Sequence, residues 1–372
     1  TTKPTQTLSQ LMQRFSTEET CKEFLQERRW PNGVRCPRCN NEKVYELKSK
    51  PFHWVCKGKD CGGRNGYRFS VITKTVFENT NYDLRVWFQV IYLMTQSKKG
   101  ISALQIQRQI GSGAYKTAWY MCHRIRAAMQ DGSFAKLMGE VEVDETYIGG
   151  KDKNRHRNKK SLQGGPSSNK IGVIGAIARK GNVVCQIIEN TDRVTLSGFV
   201  RQTVSENVSL VATDEHTGYA RLKREFPHQT VNHSKGEYVR GSVHTANLDS
   251  FWSLLKRGVI GTYHNVSKAY LPLYLAEFSF RHNNRKNADI FTTVVQTAEY
   301  ATGKACSDEV CIEECSTPLA IGGHMPKAKP VSLWPLSFEE AITAIIRVKP
   351  EKTEVKKSQQ QGKIKSEKVV KS

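Results

Sequence analysis

The sequence has no apolar run approaching the roughly 20 residues that cross a bilayer as a helix. Its longest candidate, "IGVIGAIA" from Ile171 to Ala178, is far too short. No membrane partner is therefore expected. The opening stretch "TTKPTQTLSQ" lacks the apolar core of a secretory signal. The expectation is a soluble, intracellular protein: cytoplasm or nucleoid in a bacterial host, nucleus in a eukaryotic one. Acidic residues are scarce, 35 Asp+Glu against 57 Lys+Arg, for a net charge of +22. That surplus points to a polyanion, most often nucleic acid, and against a small-molecule metabolic enzyme. No internal repeat is visible. In a reducing compartment the ten cysteines are expected as free thiols or metal ligands rather than disulfides.

What is present falls into four regions, and the expected class is a multidomain α+β protein. Residues 1–79 carry paired cysteines among short aromatic strands. Residues 80–132 turn helical. Residues 133–290 alternate strands with helices around a mixed sheet. Residues 291–372 form a C-terminal extension with one capped helix, "SFEEAITAIIRV", and a basic tail that reads as disordered. That tail, from Arg347 to Ser372, has nine basic and three acidic residues.

In the first region two residues separate Cys36 from Cys39, and four separate Cys56 from Cys61. Each pair can form a knuckle that presents two thiolates to one tetrahedral Zn²⁺. "KVYEL", "FHWV" and "YRFSV" read as strands of small hairpins. So small a segment buries little apolar surface, and the metal would supply folding energy. This is the pattern of a zinc ribbon. Arg35, Arg38, Lys57, Lys59 and Arg64 surround it and suit phosphate contact, although a structural or protein-docking ribbon is the alternative. Cys21, Cys122 and Cys185 read as packed thiols. Cys306, Cys311 and Cys315 are irregularly spaced and read as loop thiols rather than a second metal site with His324.

In the second region Ser102 and Gln105 form a capping box, "GSG" at Gly111 to Gly113 breaks the helix, and a second helix follows. Two short helices about a glycine turn suggest a helix-turn-helix. Lys116, Thr117, Tyr120 and Arg124 would then face DNA. An ordinary αα-hairpin is the competing reading.

The third region opens with "GEVEVDETYIGGK", a strand with Val141 and Val143 on one face and Glu140, Glu142 and Asp144 on the other. Glu145 is expected to point away from Asp144, and Glu142 to be a neighbour of the site rather than a ligand. Two strands joined by "KGN", a helix in "VTLSGFVRQTVSEN", and a strand ending at Asp214 come next. "QTVNH" is a possible last strand, and a helix spans "HTANLDSFWSLLKRG". Three antiparallel strands, helix, strand, strand, helix is the ribonuclease-H-like layout. It brings Asp144 and Asp214 together. Paired carboxylates repel unless a divalent cation sits between them, and two such ions suit phosphoryl transfer. Asp249 on the last helix is the candidate third acid. Lys256, two turns on, shares its face. Asn247 lies about 200° round from Asp249 and reads as an N-cap. Trp252 and Leu255 would pack on the sheet. The loop from Lys151 to Lys170, including Lys159 and Lys160, has seven basic residues and one acid and would track phosphates.

"VEVDETYIGGK", "TDEHTGY" and "HTANLDSFWSLLKRGVIGTYHNVSKAYLPLYLAEFSFRHNNR" resemble ISXO-two-like insertion-sequence transposases, zinc-ribbon DDE enzymes related to Merlin transposons. The resemblance spans roughly residues 15–287. It implies a DNA transposase that uses Mg²⁺ (or Mn²⁺) to cut the terminal inverted repeats and join the freed 3′-hydroxyl to target DNA, as a homodimer or larger synaptic assembly on double-stranded DNA. Asp144 and Asp214 match the first two catalytic acids, and Lys256 the lysine after the third. Glu277 and Arg281 match a Glu…Arg pair on the last core helix; Arg281 and Arg285 are then further DNA candidates. Two positions depart from the family. Ala246 stands where Asn is common, and Asp249 where Glu is common. Some lineages are thought to use an Asn near here as the third ligand, which keeps Asn247 among the catalytic candidates. The departures also motivate an alternative, a catalytically impaired, transposase-derived DNA-binding protein.

Overall fold

The computed structural model describes residues 6–298, apart from 60, 62–64, 131–134, 150–169, 232–238 and 240–242. Lys159, Lys160, Arg64, the three cysteines after residue 300 and the helix expected at 337–348 lie outside these residues. The described residues all belong to one compact unit, Thr1–Ser316.

Helices α1 (Leu8–Arg14) and α2 (Glu18–Arg29) open the chain, each begun by a threonine that caps the third residue on: Thr7 accepts from Gln10 N–H and Thr17 from Thr20 N–H. A three-stranded antiparallel sheet follows, β1 (Val44–Glu46), β2 (His53–Cys56) and β3 (Tyr67–Ser70). These are the three short strands expected around the cysteines.

Next come α3 (Leu84–Gln96), α4 (Ala103–Ile110) and α5 (Tyr115–Ala128). Ser102 caps α4 by accepting from Gln105 N–H. Gly111 ends it at φ 66°, a left-handed conformation that glycine adopts without a side-chain penalty. Only three residues then separate Gly111 from α5.

The ribbon and these helices share one core, in which Phe15, Phe24, Phe88 and Phe291 form an aromatic cluster with ring centroids 4.8–6.4 Å apart. Phe291 belongs to α9 (Ile290–Thr297), a helix capped by Asp289. The domain boundary expected at 290 falls at the first residue of this helix. Ile290, Val294 and Val295 instead complete the N-terminal core. The helix is only eight residues long, too short for a periodicity to stand out.

The second sheet has five strands: β4 (Glu140–Ile148), β5 (Ile171–Ala178), β6 (Val183–Ile188), β7 (Leu210–Thr213) and β8 (His228–Thr230). Their order is β6-β5-β4-β7-β8. β4, β5 and β6 are antiparallel, while β7 lies parallel to β4 and β8 parallel to β7. The sheet is therefore mixed. Helix α6 (Arg193–Thr203) covers one face, where Val141 and Val143 meet Leu196, Phe199 and Val200. Helices α7 (Ala246–Gly258) and α8 (Leu271–Asn283) cover the other, where Leu248, Phe251, Trp252 and Leu255 meet Val173 and Ile177. Each such side chain contributes about 1.5–3 kcal/mol by leaving water, so four of them hold α7 firmly to the sheet.

Candidate active site and metal centre

Asp144 sits in the middle of β4, opposite Gly175 of β5. That glycine decides the local packing. A Cβ there would lie 2.7–2.8 Å from the Trp252 ring. Without one, the indole lies flat enough on β5 for its Nε1–H to donate to Asp144 Oδ2 at 3.1 Å. Asp214 follows the last residue of β7, and its Oδ1 accepts from the His216 N–H at 3.1 Å. The chain then makes a short 3₁₀ turn, Thr217–Tyr219, which swings the fully buried Tyr219 back towards β4. The Tyr219 hydroxyl donates to Glu145 Oε1 at 2.5 Å.

Carboxylate oxygens of Asp144, Glu145 and Asp214 lie within 4.8 Å of one another. Glu145 was expected to point away from Asp144. The ladder between β4 and β7 stops at Glu142 and Ala212, so beyond that pair the β4 edge is open towards Asp214. A glutamate is long enough to reach round it, and the Tyr219 hydroxyl holds it there. Crowding and burial show in the electrostatics. Burial, then the charges of Glu145, Asp214 and Asp249, push the Asp144 carboxyl up to about 7. Burial also pushes Glu145 up to about 7, against the pull of the Tyr219 hydrogen bond. Among the described residues, no basic side chain forms an ion pair with any of the three acids. Crowded oxygen donors without a cationic partner are the donor set that a hard divalent cation takes.

Asp144 and Glu145 open onto a cavity of about 500 Å³ whose other walls include Asp249, Trp252, Lys256 and Arg257. Asp249 and Lys256 thus share one face of α7, as their spacing indicates. Asp249 is exposed, lies outside the cluster of three acids, and accepts from Thr245 Oγ1 at 3.3 Å.

Asn247 is not the N-cap. Thr245 holds that position and Asn247 is in the first turn. The cap comes from the sheet instead. Glu142, fully buried on β4, accepts from the Asn247 and Leu248 N–H groups at 2.9 and 3.2 Å. Its other oxygen accepts from Asn247 Nδ2 at 2.7 Å and from Arg179 Nε at 3.0 Å. The α7 N-terminus therefore draws its anion from a neighbouring strand. A sequence window around α7 does not contain that partner.

The four cysteine sulfurs of the ribbon also lie within 4.8 Å of one another. Cys36 and Cys61 are 3.4 Å apart, and Cys39 and Cys56 3.6 Å. A tetrahedron with Zn–S bonds of about 2.3 Å has edges of about 3.8 Å, so the four sulfurs fit one zinc ion. The Arg38 N–H points at Cys36 Sγ and the Gly58 N–H at Cys56 Sγ, both at 3.4 Å, as thiolate-stabilising knuckles do.

The structure divides the expected DNA-facing residues. Lys116 is exposed near the start of α5, its Nζ 5.5 Å from the centre of the Tyr120 ring, and Thr117 is half-buried beside it. Arg124 turns inward. Its Nη2 donates to the Glu78 carbonyl at 2.8 Å and its guanidinium lies over Trp87, because α3 occupies that side of the helix. Arg281 is also packed, ion-paired with the fully buried Glu277. Arg126 of α5 donates to the other Glu277 oxygen at 2.6 Å. Arg285 is exposed. At the ribbon, Arg35 pairs with Glu42 at 2.8 Å, while Lys57 and Lys59 are exposed.

Residues 136–283 match the ISXO2-like transposase domain, and residues 16–64 match the transposase zinc-ribbon domain. The chain belongs to the zinc-ribbon, ISXO2-like transposase family. A relative from Halobacterium salinarum, described as an uncharacterized protein in transposable element ISH50, is 29% identical over 301 residues, covering 76% of this chain and 98% of that protein. In this ISXO2-like chain the matched domain begins before β4 and ends with α8, so it contains Asp144, Asp214, Asp249 and Lys256. The matched ribbon takes in all four cysteines. No helix among the described residues is long and apolar enough to cross a membrane.

Proposed function

We propose that this chain is an active DDE-type DNA transposase with a ribonuclease-H-like core. It would bind the terminal inverted repeats of its element, cut their ends with Mg²⁺ or Mn²⁺, and transfer the freed strand to target DNA. One observation carries the reading. Asp144, from the middle strand of the sheet, and Asp214, from the end of its parallel neighbour, bring carboxylates within 4.8 Å of one another, and Asp144 faces a cavity that α7 lines with Asp249 and Lys256. The sheet order, with three antiparallel strands followed by two parallel ones, supports the ribonuclease-H-like assignment.

Divalent ions held there would supply the charge neutralisation that phosphoryl transfer requires. The protein's own groups have separable tasks. Asp144 and Asp214 hold the ions, with Trp252 fixing the rotamer of Asp144. Asp249 faces the same cavity from α7. Lys256 is placed to meet a phosphate approaching the acids. The net charge of +22 suits a partner with many phosphates. The α4–α5 pair, with its short glycine turn, supports a helix-turn-helix whose exposed α5 start, with Lys116 and Thr117, contacts DNA. A synaptic complex of two or more copies would hold both ends.

The test is Asp214→Asn. Mg²⁺-dependent cleavage of repeat ends should disappear while repeat binding persists. Retained cleavage would overturn the assignment. The position of Asp249 outside the acid cluster favours a second reading, a DNA-binding derivative that no longer cuts. Specific repeat binding without any nicking by the wild-type chain, in Mg²⁺ or Mn²⁺, would establish that reading instead.

A further inference from the structure

We propose that Glu145 is a direct ligand of the divalent metal at this site, held in place by Tyr219, so that β4 supplies two adjacent carboxylates to one ion. The inference rests on the metal-dependent reading above and identifies who holds the ion. Adjacent residues of a strand ordinarily face opposite sides of a sheet. Glu145 does leave β4 on the side of Tyr219 and Asp144 on the side of Trp252, but β4 has no β7 partner beyond Glu142, and the longer glutamate reaches round that open edge. Glu145 accordingly joins Asp144 and Asp214 within 4.8 Å, while Asp249, the acid that chain position nominates, stays outside that distance.

Glu145 is also held in place by a buried donor. Tyr219 is fully buried and donates its hydroxyl to Glu145 at 2.5 Å. It is carried there by the turn that Asp214 itself organises, through the His216 N–H to Asp214 Oδ1 and the Gly218 N–H to His216 Nδ1, each at 3.1 Å. The segment "DEHTGY" thus delivers one ligand at its first residue and the positioning group for another at its last. A protein donor aimed at a ligating carboxylate fixes its orientation. All three acids have one: Trp252 Nε1 for Asp144, the His216 N–H for Asp214 and Tyr219 for Glu145. A solvated surface glutamate would need none.

The experiment is Mn²⁺ binding to the full chain without DNA, followed by electron paramagnetic resonance and calorimetry, with thermal melting as the folding control. Asp214→Asn should abolish the tight site. Glu145→Gln should weaken it roughly 10- to 100-fold. Glu145→Asp, which keeps the charge but withdraws the carboxylate, should weaken it by at least several-fold. Tyr219→Phe, which keeps every charge, should weaken it by a similar factor and broaden the spectrum of bound Mn²⁺. A tight site lost in Asp214→Asn but unchanged within twofold in both Glu145 variants would overturn this proposal and leave the catalytic reading standing. A wild-type chain that binds no Mn²⁺ would overturn both.

Discussion

The Glu142 carboxylate on β4 accepts the first N–H groups of α7, from Asn247 and Leu248, at 2.9 and 3.2 Å. Glu142 lies two residues before Asp144 on the same strand, and α7 carries Asp249 and Lys256. The bond thus ties together the two elements that meet at the cavity. The arrangement is also closed electrically. Arg179 pairs with Glu142 and Glu140, and His244 Nδ1 lies 3.3 Å from Glu142. Glu142→Ala should therefore do more than delete a side chain. It leaves Arg179 without its buried partner and two helix N–H groups without an acceptor. Arg179 keeps Glu140, so the main loss is the unsatisfied buried donors, about 1–3 kcal/mol each. The urea midpoint of the purified chain should fall accordingly; an unchanged midpoint would show that α7 is held by its apolar face alone.

Gly175→Ala tests the packing that orients Asp144. The new methyl would meet the Trp252 ring at 2.7–2.8 Å. Overpacking of this kind costs about 1–3 kcal/mol, and the indole must leave Asp144. Trp252→Phe removes the obstructing ring and should partly rescue Gly175→Ala. In a double-mutant cycle read by urea denaturation, the combined loss should be smaller than the sum of the single losses. Strict additivity would mean that the two residues do not touch.

Much of this was legible in the residues themselves. The cysteine spacing located the ribbon, because two knuckles constrain four sulfurs locally. Alternation in "VEVDETYI" and the apolar face carrying Trp252 and Leu255 located β4 and α7, because burial imposes a period on each. Partnerships between distant segments were not legible. Tyr219 is 74 residues from Glu145, and Glu142 is 105 from Asn247. No local pattern records such a pairing. Strand alternation gives the face from which Glu145 leaves β4, but not that its carboxylate reaches round the open strand edge to Asp144 and Asp214. Arg124 reads as a DNA contact from its place in the helix-turn-helix, and Arg281 from the family resemblance. Arg124 turns inward because tertiary packing supplies Trp87 and the Glu78 carbonyl, whereas Arg281 pairs with Glu277 one turn back on its own helix.

Acid stability should show two limbs. Burial would raise the Glu277 carboxyl, but Arg281 and Arg126 more than offset it and hold it at about 2, below its usual 4.5. A lowered carboxyl contributes stability above pH 4.5, and that contribution is lost as pH falls towards 2. His123 acts earlier. Burial, reinforced by Arg126, lowers it from 6.5 to about 3, and neither ring nitrogen has a hydrogen-bond partner. The unfolded chain then takes up the proton first, so stability falls with pH from 6.5 towards 3. By pH 5 that loss is about 2 kcal/mol relative to pH 7. The buried His228 and His282, each lowered to about 4, share that upper limb, so His123→Phe should reduce it by about the 2 kcal/mol that His123 contributes and leave the lower one, read from urea midpoints between pH 3 and 8. An identical pH profile in the variant would overturn the assignment to His123.

Zinc removal should reach beyond the ribbon. Trp54 is buried on β2 and stacks edge-on with Trp30 at 5.4 Å, within the core that continues into α1–α5. The purified chain should carry one zinc per copy by elemental analysis. Cys36→Ser should lose it, red-shift tryptophan emission and lower the melting temperature. Full zinc occupancy in that variant would exclude Cys36 as a ligand.

The remaining test separates Asp249 from Asn247. Asn247 Nδ2 donates to Glu142, so its amide already has a structural task. Asn247→Ala should cost about 1.5–3 kcal/mol of stability, as one hydrogen bond to a charged partner does, and should leave most end cleavage intact. Asp249 is on the cavity wall but one methylene short of the reach that a glutamate has. Asp249→Glu moves the carboxylate towards Asp144 without disturbing the apolar face of α7. Cleavage of repeat ends should persist or rise in that variant, and Asp249→Ala should abolish it. If Asn247→Ala abolishes cleavage while both Asp249 variants still cut, Asn247 is the third ligand and Asp249 a first-turn acid that stabilises the helix.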